Sequence, residues 1–294
     1  QRLDVAKLLL EHGADPNISD KDGDTPLIDA SMYGNTNIVE LLLEKGADPN
    51  ICSKTDGGTP LIKASRRGHT DITRLLLEKG ADPNICDELG RTPLMWASRR
   101  VYTKEVEPLL DKGADPNICD KHGNTPLIFA FRRGHTSTVE LLLEKGADPN
   151  ICNKDGDSAL IRASTKGHTN IVELLLEKGA DPNHSNNNGD NALRFAYFHG
   201  HSNIAKVLLE KGADPHVSKI QRFFEHRDRG DDSSSQPRKS HPVSPLEDII
   251  HDIVKYPHYA EKFLELYQEN RDIVNWLDKD GRTVRQVACR ECRE

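Results

Sequence analysis

The tetrapeptide Gly-Ala-Asp-Pro begins at residues 13, 46, 80, 113, 146, 179 and 212 of the chain. The interval is 33 residues at every step but one, the step of 34 from Gly46 to Gly80. Self-similarity at this period marks an architecture of stacked repeats, and it outranks any local helix or strand signal. A segment so short cannot bury its apolar face alone. It becomes stable when neighbouring copies cover both of its sides.

The copy from Asp120 to Cys152 shows how one repeat is expected to fold. Thr125 stands at a helix N-cap, where its hydroxyl can accept an orphan backbone N–H. Pro126 follows at the first helical position, which its fixed φ suits. Leu127 and Ala130 fall on one face of a short helix, and Gly134 ends it. His135 and Thr136 open a second helix whose buried face is carried by Val139 and Leu141, Leu142 and Leu143. Gly146 closes that helix, and Asp148-Pro149-Asn150 turns the chain outward.

The string D-x-x-G-x-T-P-L-x-x-A, then G-H, then L-L-L-x-x-G-A-D-x-N, resembles the ankyrin repeat. The resemblance implies an all-α fold, an ankyrin-repeat solenoid of stacked helix-turn-helix units with β-hairpin fingers. One departure is regular. The residue after Thr-Pro-Leu or its equivalent, often His in the family, is Ile28, Ile62, Met95, Ile128 and Ile161 here. Apolar packing is expected to replace a polar contact between repeats.

Repeats are expected to fill residues 1–218: a truncated first repeat, 1–19, and six full ones. The full repeats are Asp20–Cys52, Ser53–Cys86, Asp87–Cys119, Asp120–Cys152, Asn153–Ser185 and Asn186–Ser218. The chain opens at Gln1 inside a repeat, so further residues are expected upstream. The extra residue of the second repeat is placed in its finger, near Thr55-Asp56. In the third repeat Val101 replaces the inter-helix glycine and Pro108 falls inside the second helix. Proline there removes a backbone bond at a cost of ~3 kcal/mol, so a shortened or bent helix is expected, as drift or as a hinge. Thr-Pro-Leu decays to Ser158-Ala159-Leu160 and Asn191-Ala192-Leu193 in the last two. Residues 219–243, with Ser233–Ser235 and Arg229-Gly230-Asp231, are expected to form a flexible polar insertion. In 244–294, Ser244-Pro245-Leu246 and Asp278–Ala288 suggest a divergent repeat and a C-terminal cap, with a separate helical domain as the alternative.

Composition bounds function more than fold. Aromatic residues make up 5% of the chain, few for a globular enzyme but enough for short stacked helices. A formal net charge of −7 argues against a general nucleic-acid binder. No run approaches the ~18 apolar residues of a membrane span. Cys52, Cys86, Cys119 and Cys152 recur at one repeat position. Packed helices lie ~8–10 Å apart while a disulfide needs Cα atoms within ~7 Å, so reduced thiols packed at a seam are expected. Reduced thiols suit the cytoplasm, with the nucleus as the alternative. Cys289 and Cys292 lack a second ligand pair, so they read as ordinary thiols and no metal or cofactor is expected.

Enzyme signatures are absent: no phosphate-cradling glycine loop, no G-x-S-x-G, no H-E-x-x-H. His69, His135, His168 and His201 recur at one position and read as packing or capping groups. The finger carboxylates Asp22, Asp24, Asp155, Asp157 and Asp190 read as solvated turn residues. Family resemblance offers Asn50, Asn84, Asn117, Asn150 and Asn183 as places for asparagine hydroxylation, although proline precedes each. Function in such a stack belongs to side chains outside the shared pattern. Before the inter-helix glycine or its replacement these include Tyr33, Arg66-Arg67, Arg99-Arg100, Arg132-Arg133 and Lys166. One turn earlier lie Lys63, Trp96, Phe129, Arg162 and Phe195. Arginine among aromatics is the composition of binding hot spots, and guanidinium forks suit carboxylate or phosphate. The expected partner is therefore an acidic or phosphorylated protein segment, bound on the concave surface by a monomeric, non-catalytic scaffold. Two alternatives are the targeting arm of a larger enzyme or channel, and a binder of anionic lipid or nucleic acid.

Overall fold

A computed structural model describes residues 2–100, 103–131, 134 and 136–214. The expected polar insertion and C-terminal repeat, and Cys289 and Cys292, lie outside the described residues. The chain divides into two compact bodies, Gln1–Asp181 and Pro182–Glu294. In the first body lie α1 (Arg2–Glu11), α2 (Pro26–Tyr33), α3 (Thr36–Glu44), α4 (Pro60–Arg67), α5 (Thr70–Glu78), α6 (Pro93–Arg99), α7 (Thr103–Asp111), α8 (Pro126–Ala130), α9 (Thr136–Glu144), α10 (Ala159–Lys166) and α11 (Thr169–Glu177). The second contributes α12 (Ala192–Phe198) and α13 (Ser202–Glu210). Among the described residues no helix is long and apolar enough to cross a membrane.

The first body is built as two rows of helices. The first helices stack as α2, α4, α6, α8 and α10, and the second helices as α1, α3, α5, α7, α9 and α11. Each first helix starts on a side-chain cap: Thr25, Thr59, Thr92, Thr125 and Ser158 accept the N–H of the residue three places on, at 3.2–3.4 Å. In the second body Asn191 does the same for Arg194. Loss of Thr-Pro-Leu in the last two repeats thus spares the one atom that matters, an oxygen acceptor at the cap. Ile28, Ile62, Met95, Ile128 and Ile161 are buried, as apolar packing between repeats requires.

Neighbouring repeats are tied by a row of asparagines. Asn17, Asn50, Asn84, Asn117 and Asn150 each donate Nδ2 to a glycine carbonyl of the next repeat, at 2.9–3.2 Å. Each Oδ1 accepts the N–H of the following Gly-Ala-Asp aspartate, at 2.7–2.9 Å. His69 and His168 pack rather than cap. The His69 ring covers Gly34, its Nε2 donates to the Met32 carbonyl at 3.3 Å, and neither ring makes a cap bond. His135 lies outside the described residues.

Four expectations need correction. The fingers are tight turns and not strand pairs. Among the described residues no strand forms, and one isolated bridge joins Ser185 and Asn191. Asp20, Asp87, Asp120 and Asn153 each hold a turn by accepting the N–H groups two and four residues on. Single backbone bonds then join successive fingers, for example Lys121 N–H to Leu89 O at 2.9 Å. Second, α7 is not shortened. It keeps the nine residues of α3, α5, α9 and α11 despite Pro108. The one backbone bond lost in mid-helix is offset by packing against α5 and α9, since tertiary contacts supply most of a short helix's stability. The first helix of that repeat differs instead: α6 stops at Arg99, and Arg100 caps it at an ordinary φ of −111° where Gly34 and Gly68 use the left-handed region.

The third correction concerns the thiols. Cys52, Cys86 and Cys119 are exposed and Cys152 half-buried; none is cross-linked, and none is packed in a seam. Partial desolvation pushes the Cys119 thiol up, and Asp120 and Asp115 push it further. Cys152 is raised the same way, by burial and then by Asp157 and Asp148. Iodoacetamide at neutral pH should therefore alkylate both several-fold more slowly than in the urea-unfolded chain, because the thiolate is the reactive form. Equal rates in the two states would contradict this. Fourth, three finger carboxylates are not fully solvated: Asp157 is buried beside Arg162, half-buried Asp190 pairs with Arg194, and half-buried Asp24 has a buried Oδ1.

Candidate functional site

The variable side chains of the first helices meet the finger tips of the first body. The extra residue of the second repeat sets this up. Its finger closes from Gly57 N–H back to Ser53 O, one residue wider than the Gly23-to-Asp20 closure of the repeat before. The wider turn carries Asp56 over α4, where Lys63 Nζ reaches both carboxylate oxygens at 2.8 and 2.9 Å. Arg66 approaches the same carboxylate at 3.7 Å. Burial alone would raise the Asp56 carboxyl. The Lys63 hydrogen bond, the Gly58 N–H and the two cationic charges outweigh it and hold the group below its ordinary value.

In the third repeat the equivalent ground is taken by Trp96. Its side chain is 5% exposed because arginines cover it. Arg91, the last finger residue before the Thr92 cap, lies 4.3 Å from the ring centroid; Arg66, from α4, lies at 5.0 Å and Arg99, from the end of α6, at 5.7 Å. Each such contact contributes about 0.5–1 kcal/mol. Arg91 Nε also donates to Asp87 at 3.0 Å. Trp96 is thus a pedestal more than a contact residue: a rigid ring that fixes three flexible cations and so reduces the entropy they lose on binding. Its indole N–H is buried and has no hydrogen-bond partner among the described residues.

The structure therefore brings together Lys63, Arg66, Trp96 and Arg99, and adds Asp56 and Arg91, which sequence reasoning missed. Lys63 is buried and held by Asp56, so it is not an open cation. Arg67 and Arg100 are exposed at the ends of their helices, as is Lys166 at the end of α10. Phe129 is half-buried on α8. Arg162 is exposed and turns toward Asp157 at 3.4 Å. Tyr33, 67% exposed, stands one repeat before Arg67. Arg132 and Arg133 lie outside the described residues. At the first-repeat end of the row the sign reverses: burial, then Asp24 and Asp20, raise the Asp29 carboxyl against the pull of Lys63. A signal for Arg91 and Asp56 was present in the sequence, since both sit at finger places outside the repeated pattern.

The sequence profile of ankyrin repeats (3 copies) matches residues 1–52, 46–120, 79–153 and 145–219. Among solved structures, an ankyrin repeat domain from Acinetobacter baumannii AYE is similar at 32% identity and a TM-score of 0.61, covering 64% of this chain and 98% of that one. A second ankyrin repeat protein is 30% identical with a TM-score of 0.60, covering 65% and 99%. No curated protein sequence matches at a significant level. Helix pairs in register, threonine caps, asparagine ties and a profile match through residue 219 agree. The chain belongs to the ankyrin repeat family.

Proposed function

We propose that this protein is a monomeric, non-catalytic scaffold or adaptor of the cytoplasm that binds an acidic or phosphorylated segment of a partner protein. Ankyrin repeats generally mediate protein–protein interaction, and the fold is typically a non-catalytic binding module. The proposed surface runs over the fingers and first-helix ends of the second to fifth repeats, the face that is concave in ankyrin stacks. One observation carries the reading: three guanidinium groups from two repeats surround one tryptophan ring. Arginine held this way keeps its planar fork for a carboxylate or phosphate and gives up little further freedom when it binds.

The test compares the wild type with a variant carrying Arg66→Glu, Arg67→Glu, Arg99→Glu and Arg100→Glu on arrays of acidic, neutral and basic peptides. Acidic peptides should be retained by the wild type, and the variant should lose roughly thirtyfold in affinity, about 2 kcal/mol. An unchanged array profile would remove the surface from consideration. Retention of nucleic acid or anionic vesicles instead, collapsing with salt, would support the charge but not the partner class.

A further inference from the structure

We propose that the arginines on Trp96 form a seat for a phosphomonoester, the side chain of a phosphoserine or phosphothreonine, followed or preceded by an apolar residue of the same partner segment. The inference rests on the acidic-segment reading above and adds which acid is preferred. A carboxylate offers two oxygens in one plane, which one guanidinium fork satisfies. A phosphate offers three outward oxygens and about −1.5 to −2 charges at neutral pH, and it is best met by donors arriving from several directions. The donors here come from three separate places: the end of α4 (Arg66), the third finger (Arg91) and the end of α6 (Arg99). All lie within 5.7 Å of one ring centroid. Arg91 is bonded to Asp87 through Nε, so its terminal nitrogens are directed by that bond without being consumed by it. The Trp96 indole N–H lies buried beneath this cluster, with no acceptor among the described residues.

The apolar neighbour is argued from Leu89. This residue occupies the finger place held by Asp22, Asp56 and His122 in other repeats, each carbonyl accepting the N–H of the next finger. Asp56 at that place reaches Lys63 and Arg66 below it. Leu89 lies in the third finger two residues before Arg91, and it is 45% exposed. An exposed leucine two residues from Arg91 in the same finger fits a peptide with one charged and one apolar side chain. It does not fit a lipid headgroup, whose apolar part is a buried bilayer. The exposed apolar cluster of Val5, Leu8, Leu9 and Ile18 belongs to the first repeat, residues 1–19.

The chain has two tryptophans, Trp96 and Trp276, so a Trp276→Phe background makes fluorescence report on Trp96. Degenerate nonapeptides with a central phosphothreonine are titrated against matched pools carrying threonine or glutamate. The phosphorylated pool should bind roughly tenfold tighter than either twin and shift the Trp96 emission. Arg66→Gln with Arg99→Gln should abolish that preference, whereas Arg74→Gln, exposed on α5 in the row of second helices, should keep it. Leu89→Asp should select against apolar neighbours in the recovered peptides. Glutamate peptides bound as tightly as phosphorylated ones would overturn the phosphate seat and leave the acidic-segment reading standing. Binding of none of the pools would overturn both. Saturation by inorganic phosphate, or by phosphoinositide vesicles in preference to every peptide, would overturn the choice of a protein segment. Unchanged thermal midpoints in the variants would show that lost binding is not lost folding.

Discussion

Raising the pH from about 5 to about 9 should destabilise this protein by on the order of 4 kcal/mol, and Glu105→Gln should remove that dependence. Glu105 lies on α7 at the place held by Ile72 on α5 and Ile171 on α11, and it is 0% exposed. Thr73 donates to its Oε1 at 3.2 Å, while Oε2 makes no bond of ordinary geometry among the described residues. Burial pushes the carboxyl from its ordinary 4.5 up to about 8, against the opposing pull of the Thr73 and Thr70 hydroxyls. A folded value above the unfolded one means that the native state holds the proton more tightly. The stabilisation is therefore complete below the unfolded value of 4.5 and is lost as the pH climbs through about 8. Urea midpoints at both pH values measure it, and the same pH slope in Glu105→Gln would refute the assignment. The double variant Glu105→Ile, Thr73→Val restores the residues of neighbouring repeats and should gain about 1–3 kcal/mol at the higher pH.

Glu105 also shows where sequence reading stopped. Period and motif revealed the repeats, the caps and the apolar face of each second helix, because those are copied from repeat to repeat. Pro108, a residue with a strong rule attached, drew notice, yet the stack absorbs it. Glu105 carries no local rule and is foreign only when the repeats are set in columns. Thr73, in the column of Val39 and Val139, is its partner one repeat away. Two departures that look independent in the sequence prove to be one contact. Thr138, buried on α9 in that isoleucine column, is a single departure: its contact one repeat away at 3.3 Å is Thr103, which matches Thr70 and Thr136 in its own column.

Gly123→Ala should cost about 2–4 kcal/mol, far more than the same change at Gly146. Both glycines have a positive φ, +79° and +90°, so either substitution pays about 1 kcal/mol for the left-handed backbone. The surroundings decide the rest. A Cβ on Gly123 would lie 2.9 Å from Asn153 Cα and from Lys154 N, atoms of the next finger's main chain that no side-chain motion can clear. Parting the two fingers also breaks the 2.8 Å bond from Lys154 N–H to His122 O. A Cβ on Gly146 would meet no described atom within 4 Å. Thermal midpoints of the two variants test this, and equal losses would show that the fingers do not press on one another.

The candidate site was legible as a list and not as an arrangement. The Arg-Arg pairs, Trp96 and Phe129 stood out as departures from the pattern. Nothing in their spacing said that Trp96 would lie under its arginines or that Lys63 would be taken by Asp56. Both outcomes depend on the fingers, whose reach changes with a single inserted residue. Finger places vary freely, so periodicity alone cannot tell a contact from a solvated turn.

Arg66 belongs to one repeat while Arg91, Trp96 and Arg99 belong to the next, so the seat straddles a joint. Thr73 and Glu105 face each other across that same joint, on the row of second helices. Whatever occupies the seat acts as a rivet, and its affinity adds to the cohesion of the two storeys it spans. Grip and cohesion should then move together: a tight occupant delays the alkaline parting of the joint, and alkaline conditions loosen the occupant before the rest of the molecule opens.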